Sequence, residues 1–105
     1  MKAAVVETQG RIIVREVSKP KFHADSILVR VEACAVCGSD LRIVYGKDSR
    51  AHFPMIIGHE MAGIVAQVGS RADGFEDGDM VTIAPGVPCG HCRMCLRGLR
   101  TCVSI

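Results

Sequence analysis

The residues best equipped for chemistry are cysteines, and they are bunched. Of six in the chain, Cys89, Cys92, Cys95 and Cys102 fall within residues 89–105. In Cys89-Gly90-His91-Cys92-Arg93-Met94-Cys95 the thiols recur at every third position, and the loop Leu96–Thr101 returns the chain to Cys102. A C-x-x-C turn lets two sulfurs converge on one ion without strain. Two overlapping turns supply three sulfurs and the loop brings a fourth, the number that structural zinc takes at tetrahedral corners. Four thiolates on Zn²⁺ leave a net charge of about −2, which Arg93, Arg97 and Arg100 help to offset. The competing reading is a redox C-x-x-C pair or free thiols. His91 could replace a sulfur, but beside four cysteines it reads as an exposed turn residue. Residues 88–105 carry too few apolar side chains to offset a backbone entropy of about 1–2 kcal/mol per residue. Zinc, at about 10–16 kcal/mol in small peptides, is on the scale needed to order such a lobe.

A second constellation is spread more widely. Cys37 ends an apolar strand-like run and precedes a helix start, where exposed N–H groups and the helix dipole favour a thiolate. Gly58-His59-Glu60 follows the apolar Pro54-Met55-Ile56-Ile57, and a histidine and an acid set among apolar residues need partners. On spacing alone these three residues read as readily as a core thiol and a capping pair. Cys34 faces away from Cys37 if strand alternation continues, so it reads as a small buried residue.

The elements that must position these groups are short. Lys2–Val6 and Ile12–Val17 flank Thr8-Gln9-Gly10 and read as a hairpin. Residues 18–25 read as loop. Over Ser26–Cys37 the alternation puts Ile27, Val29, Val31, Ala33 and Ala35 on one face. Gly38–Tyr45 reads as one short helix capped by Ser39 or Asp40 and ended by Gly46. Met61–Val68 reads as a strand in which Gly63 permits a close backbone approach, and residues 79–84 as another strand. The expected fold is a mostly-β barrel or sandwich over residues 1 to about 85, with one helix and a zinc-stapled loop lobe over about 86–103. At 105 residues and 49% apolar the chain suits one domain with a modest core. A net charge of +2 gives no signal for nucleic acid or a membrane surface. No apolar run is long enough to span a bilayer, and Glu7 interrupts the N-terminus too early for a secretory segment, so a cytoplasmic location is expected.

Taken together, Cys37-Gly38-Ser39-Asp40-Leu41, Pro54-Met55-Ile56-Ile57-Gly58-His59-Glu60-Met61-Ala62-Gly63, Val68-Gly69-Ser70, Phe75-Glu76-Asp77-Gly78-Asp79-Met80-Val81 and the four-cysteine lobe resemble, in order, the N-terminal GroES-like catalytic domain of the zinc-dependent medium-chain alcohol dehydrogenases. The resemblance implies an oxidoreductase acting on a small alcohol or polyol with NAD or NADP. It implies that Cys37 and His59 ligate a catalytic zinc, and that Glu60 ligates that zinc or lies just behind it. It further implies that Ser39 relays the substrate proton, that Asp40 orients His59, and that Cys89, Cys92, Cys95 and Cys102 hold a structural zinc. Gly58, Gly63, Gly69 and Gly78 are turn and packing residues without chemistry.

Three departures from the family pattern carry consequences. Six residues rather than seven separate Cys95 from Cys102, which makes Cys102 the least secure ligand. Arg42 stands near a position where many members have a relaying histidine, and arginine does not release a proton at neutral pH. No G-x-G-x-x-G follows a strand, so the Rossmann cofactor domain is absent from these residues and the chain is expected to be a truncated form, inactive alone, with weak zinc at the catalytic corner. The rival readings are a standalone zinc-binding GroES-like module and a co-chaperonin-like interaction protein, the latter needing neither zinc motif.

Overall fold

In the computed structural model, which describes residues 1–99, six strands and two short helices follow one another in the order β1 (Lys2–Thr8), β2 (Arg11–Glu16), β3 (Ile27–Ala35), α1 (Gly38–Val44), β4 (Met55–Ile56), β5 (Glu60–Val68), β6 (Met80–Thr82) and α2 (Arg93–Leu96). The mostly-β GroES-like reading holds. The strands form two antiparallel three-stranded sheets, ordered β2-β1-β4 and β3-β5-β6, and no ladder among the described strands joins the two into one cylinder.

The hairpin forms where the turn residues place it. Lys2 pairs with Glu16 and Val6 with Ile12. Val5 and Val6 are fully buried, and with Val44 of α1 and Val65 of β5 they make up the fully covered apolar core among the described residues. The hairpin tip also closes the end of α1. Gly10 N–H donates to Val44 O at 2.7 Å and Gln9 Nε2 donates to Tyr45 O at 2.9 Å. These bonds satisfy carbonyls that a helix end leaves without intrahelical partners.

The two-residue strand β4 and the four-residue helix α2 were not expected. β4 is too short for any periodicity, and only its pairing with Val5 and Val6 defines it. It is nonetheless one of the points where the chain crosses between the sheets, leaving β4, passing Gly58 and His59, and entering β5. β6 is shorter than the expected residues 79–84.

β3 and β5 form the ladder that sets the site, and it is irregular twice. The pairs run Leu28↔Gln67 then Val29↔Val65, and Val31↔Gly63 then Ala33↔Ala62, so Ala66 and Glu32 are each one extra residue. Paired residues share a face. Val29 and Val31 therefore lie on the face of Val65 and Gly63, whereas Ala33 and Ala35 lie with Ala62 and Glu60. The single apolar face expected over Ile27–Ala35 is broken at Glu32, as a β-bulge does. Gly63 permits the expected close approach: a Cβ there would come within 2.3 Å of Arg30 O.

Two further expectations are corrected. Cys34 is exposed, not buried. The bulge puts it on the core-side face, but at the end of the ladder where cover has run out, and neighbouring Val31 is already 48% exposed. The N-cap of α1 is Cys37, not Ser39 or Asp40. Its sulfur is an acceptor for Ser39 N–H, and Asp40, three residues on, completes a reciprocal capping box that a sequence search for Ser, Thr, Asp or Asn caps overlooks.

Candidate metal centre

The capping box fixes one half of the first cluster. Cys37 N–H donates to Asp40 Oδ2 at 2.9 Å, and Cys37 Sγ lies 3.4 Å from Ser39 N and 3.1 Å from Ser39 Oγ. The other half comes from the turn between β4 and β5. The register Ala35↔Glu60 brings the end of β3 beside the start of β5, so Cys37 and His59 approach each other although 22 positions separate them. Ser39 Oγ lies 3.3 Å from His59 Nε2, and Asp40 Oδ1 lies 3.3 Å from His59 Nδ1 on the other side of the ring.

Ligand atoms of Cys37, His59 and Glu60 all lie within 4.8 Å of one another. Cys37 and His59 are half-buried and Glu60 is exposed. Asp40 is 2% exposed, and its Oδ1 has no aligned hydrogen bond. A buried carboxylate oxygen without a donor is costly. The His59 ring, 3.3 Å away, supplies it with an N–H donor when the neutral ring carries its proton on Nδ1. That proton leaves Nε2, the nitrogen facing Ser39 and Cys37, with its lone pair free for a ligand role. The Cys37 thiol is held below its ordinary range by hydrogen bonds from Ser39, side chain first and then backbone, and by His59. His59 is raised, chiefly by its hydrogen bond with Cys37. Thiolate, imidazole and carboxylate at this separation form a donor set that suits zinc.

The second cluster is local. Cys92 caps α2, its sulfur accepting from Cys95 N–H at 3.5 Å, and Cys89 Sγ accepts from Cys92 N–H at 3.4 Å. The sulfurs of Cys92 and Cys95 are 3.5 Å apart and those of Cys89 and Cys95 3.8 Å. Thiolates bound tetrahedrally at about 2.3 Å lie about 3.8 Å apart, whereas a disulfide needs about 2.05 Å. The spacing therefore matches a shared ion and not a disulfide. Cys92 is shifted down to about 6, first by the Cys95 backbone N–H and then by the Cys95 thiol. His91 is exposed, and its Nδ1 lies 2.8 Å from Cys89 O, outside the cluster. Cys102, expected as the fourth ligand, lies outside the described residues.

Six of the seven expected metal ligands are thus described, in the two groups expected, with Ser39 against the first. Asp40 stands where an orienting group for His59 is needed. The role of Cys37 as its helix's cap was missed, because sulfur is not among the usual capping atoms. Arg42 is on the far end of α1, with Nη2 3.5 Å from Lys47 O.

Comparison with known proteins identifies the family. Residues 23–104 match the alcohol dehydrogenase GroES-like domain. The chain is 44% identical over 104 residues to YdjJ of Escherichia coli K12, a zinc-type alcohol dehydrogenase-like protein, covering 90% of this chain and 28% of that protein. It is 41% identical over 103 residues to the sorbitol dehydrogenase of Bacillus subtilis, covering 93% and 29%. The solved structure of galactitol-1-phosphate dehydrogenase from Escherichia coli superposes with a TM-score of 0.86 at 35% identity, covering 95% of this chain and 29% of that one. The chain therefore spans under a third of the length of the relatives it matches. It belongs to the zinc-dependent medium-chain alcohol dehydrogenase family, whose N-terminal GroES-like domain its residues 23–104 match.

Proposed function

We propose that this domain is the zinc-binding catalytic portion of an NAD- or NADP-linked dehydrogenase of small alcohols or polyols. The observation that carries the reading is the convergence of Cys37, His59 and Glu60 within 4.8 Å, with the Ser39 hydroxyl against both Cys37 and His59. Cys37 and His59 would hold the catalytic zinc, with Glu60 as a third or exchanging ligand. Cys89, Cys92, Cys95 and Cys102 would hold a structural zinc. When bound, catalytic zinc supplies a Lewis acid that makes an alcohol hydroxyl easier to deprotonate.

The chain's own residues do the rest of the proton work. The Ser39 hydroxyl, 3.3 Å from His59 Nε2 and 3.1 Å from Cys37 Sγ, accepts the substrate proton and hands one on toward solvent. Asp40 keeps a proton on His59 Nδ1 and, through Cys37 N–H, keeps Cys37 at the helix start. Arg42 does not extend the relay, so its next station is water or a hydroxyl of substrate or cofactor. No residue among the 105 is assigned to the nicotinamide, and alone they are expected not to turn over alcohol. The thiol-rich metal sites suit a reducing, cytoplasmic setting. No helix among the described residues is long and apolar enough to cross a membrane.

The test is alcohol-dependent reduction of NAD⁺ or NADP⁺ by a protein that joins residues 1–105 to a nicotinamide-binding domain. Activity is expected, with loss in both Cys37→Ser and His59→Ala. Turnover unaffected by either substitution would overturn the reading.

A further inference from the structure

Cys34 belongs to neither cluster, yet its sulfur has a specific neighbour. Gly58, the residue before His59, has φ +107°, and a Cβ there would come within 2.8 Å of Cys34 Sγ. The sulfur occupies the space that a side chain at 58 would need. Cys34 is three residues before Cys37 on the same chain segment, and it pairs with Met61, two residues beyond His59. The contact therefore spans the two segments that carry the cluster, at the open end of the β3–β5 ladder. Among the described residues no strand pairing lies beyond Ala35↔Glu60 to hold those segments at a fixed spacing. The Glu32 bulge matters here, because it sets Cys34 on the Gly63 and Val65 face while Ala33 and Ala35 take the other.

We propose that Cys34 is a positioning residue for the ligand pair, its sulfur acting as a spacer against Gly58 that sets the separation between the Cys37 segment and the turn carrying His59. This rests on the reading of Cys37 and His59 as metal ligands. A side chain larger than sulfur pushes the turn outward. A smaller one lets the turn drift inward and leaves His59 Nε2 poorly aimed. Serine, close to cysteine in size, keeps the spacing.

Cadmium-113 NMR on the 105-residue chain tests this, because each metal site gives its own resonance and sulfur ligation moves that resonance strongly. The cluster resonance is identified by its loss in His59→Ala, and the lobe resonance by its loss in Cys92→Ser. Cys34→Leu is expected to lower cadmium affinity at the His59-dependent site about 10–100-fold, the usual cost of disturbing a residue that orients a ligand, and to move that resonance. The lobe resonance stays in place, and circular dichroism of each variant checks that the strands still fold. Cys34→Ala, which adds no bulk, lowers affinity toward the small end of that range, and Cys34→Ser keeps the parent resonance and affinity. Parent-like behaviour of both Cys34→Leu and Cys34→Ala overturns the proposal. So does equal loss in Cys34→Ser and Cys34→Ala, which makes Cys34 a ligand and not a spacer. If no resonance of the parent protein depends on His59, the reading of the ligand pair falls, and this inference with it.

Discussion

Substituting Gly63 by alanine tests the scaffold on which the site depends. A Cβ at this position would lie 2.3 Å from Arg30 O and 3.0 Å from Arg30 C, both backbone atoms, and 2.9 Å from Val29 Cγ1. Carbon and carbonyl oxygen settle at about 3.3 Å or more across a ladder. The contact is therefore short by about 1 Å, and only strand separation can relieve it. Opening the ladder by about 1 Å takes flanking N···O distances from about 2.9 to about 3.9 Å, beyond hydrogen-bonding range. Two such bonds at about 1 kcal/mol each, with overpacking of about 1–3 kcal/mol, give a loss of about 3–5 kcal/mol. For a domain of this size that lowers Tm by about 12–40 °C. Thermal and urea unfolding of the zinc-loaded protein, followed by circular dichroism, measure it. Gly86→Ala is the control, because a Cβ there meets nothing within 4 Å, and a change within about 0.5 kcal/mol is expected. A Gly63→Ala protein within about 0.5 kcal/mol of the parent would refute the close approach and, with it, the register that brings Cys37 to His59.

Asp40→Asn keeps an acceptor for Cys37 N–H but removes the charge facing His59, so metal affinity at the cluster is expected to fall about 10–100-fold with little change in Tm, whereas Asp40→Ala lowers both. Isothermal titration with zinc alongside thermal melts separates the two effects. Zinc is needed to order the lobe, so in the metal-free protein Cys92 loses the Cys95 N–H that holds its thiol at about 6, and its alkylation by iodoacetamide should follow pH as an ordinary thiol does, half-maximal at about pH 8.5, with zinc protecting it. A half-maximal rate at about pH 6 without metal contradicts zinc-dependent ordering of the lobe. In cobalt-loaded protein the charge-transfer absorption of the lobe should weaken alike in Cys89→Ser, Cys92→Ser, Cys95→Ser and Cys102→Ser. An unchanged spectrum in Cys102→Ser alone makes another group, His91 first, the fourth ligand.

The site was more legible than the fold that carries it. The spacing of Cys89, Cys92 and Cys95 announces convergence because a C-x-x-C turn is local and needs no tertiary partner. Cys37, His59 and Glu60 were weak on spacing alone, since their meeting depends on the β3–β5 register, which is set by a ladder and not by neighbours in sequence. The ordered motifs around them carried the reading through family resemblance. What the sequence hid is equally physical. A bulge such as Glu32 inserts one residue without any compositional mark, so the alternation over Ile27–Ala35 looked continuous and Cys34 looked buried. β4 exists only through its pairing with β1. Cys37 caps its helix with sulfur, which the usual oxygen-based capping pattern does not register.

Zinc content during stepwise chelation tests the central claim most directly. The account requires two zinc ions per 105-residue chain. The first is removed by a mild chelator and is absent from His59→Ala, because three protein ligands at most leave that ion open to water and exchange. The second survives until a strong chelator is added and is absent from Cys92→Ser. Two ions of equal tightness, or a zinc content unchanged in His59→Ala, would contradict it.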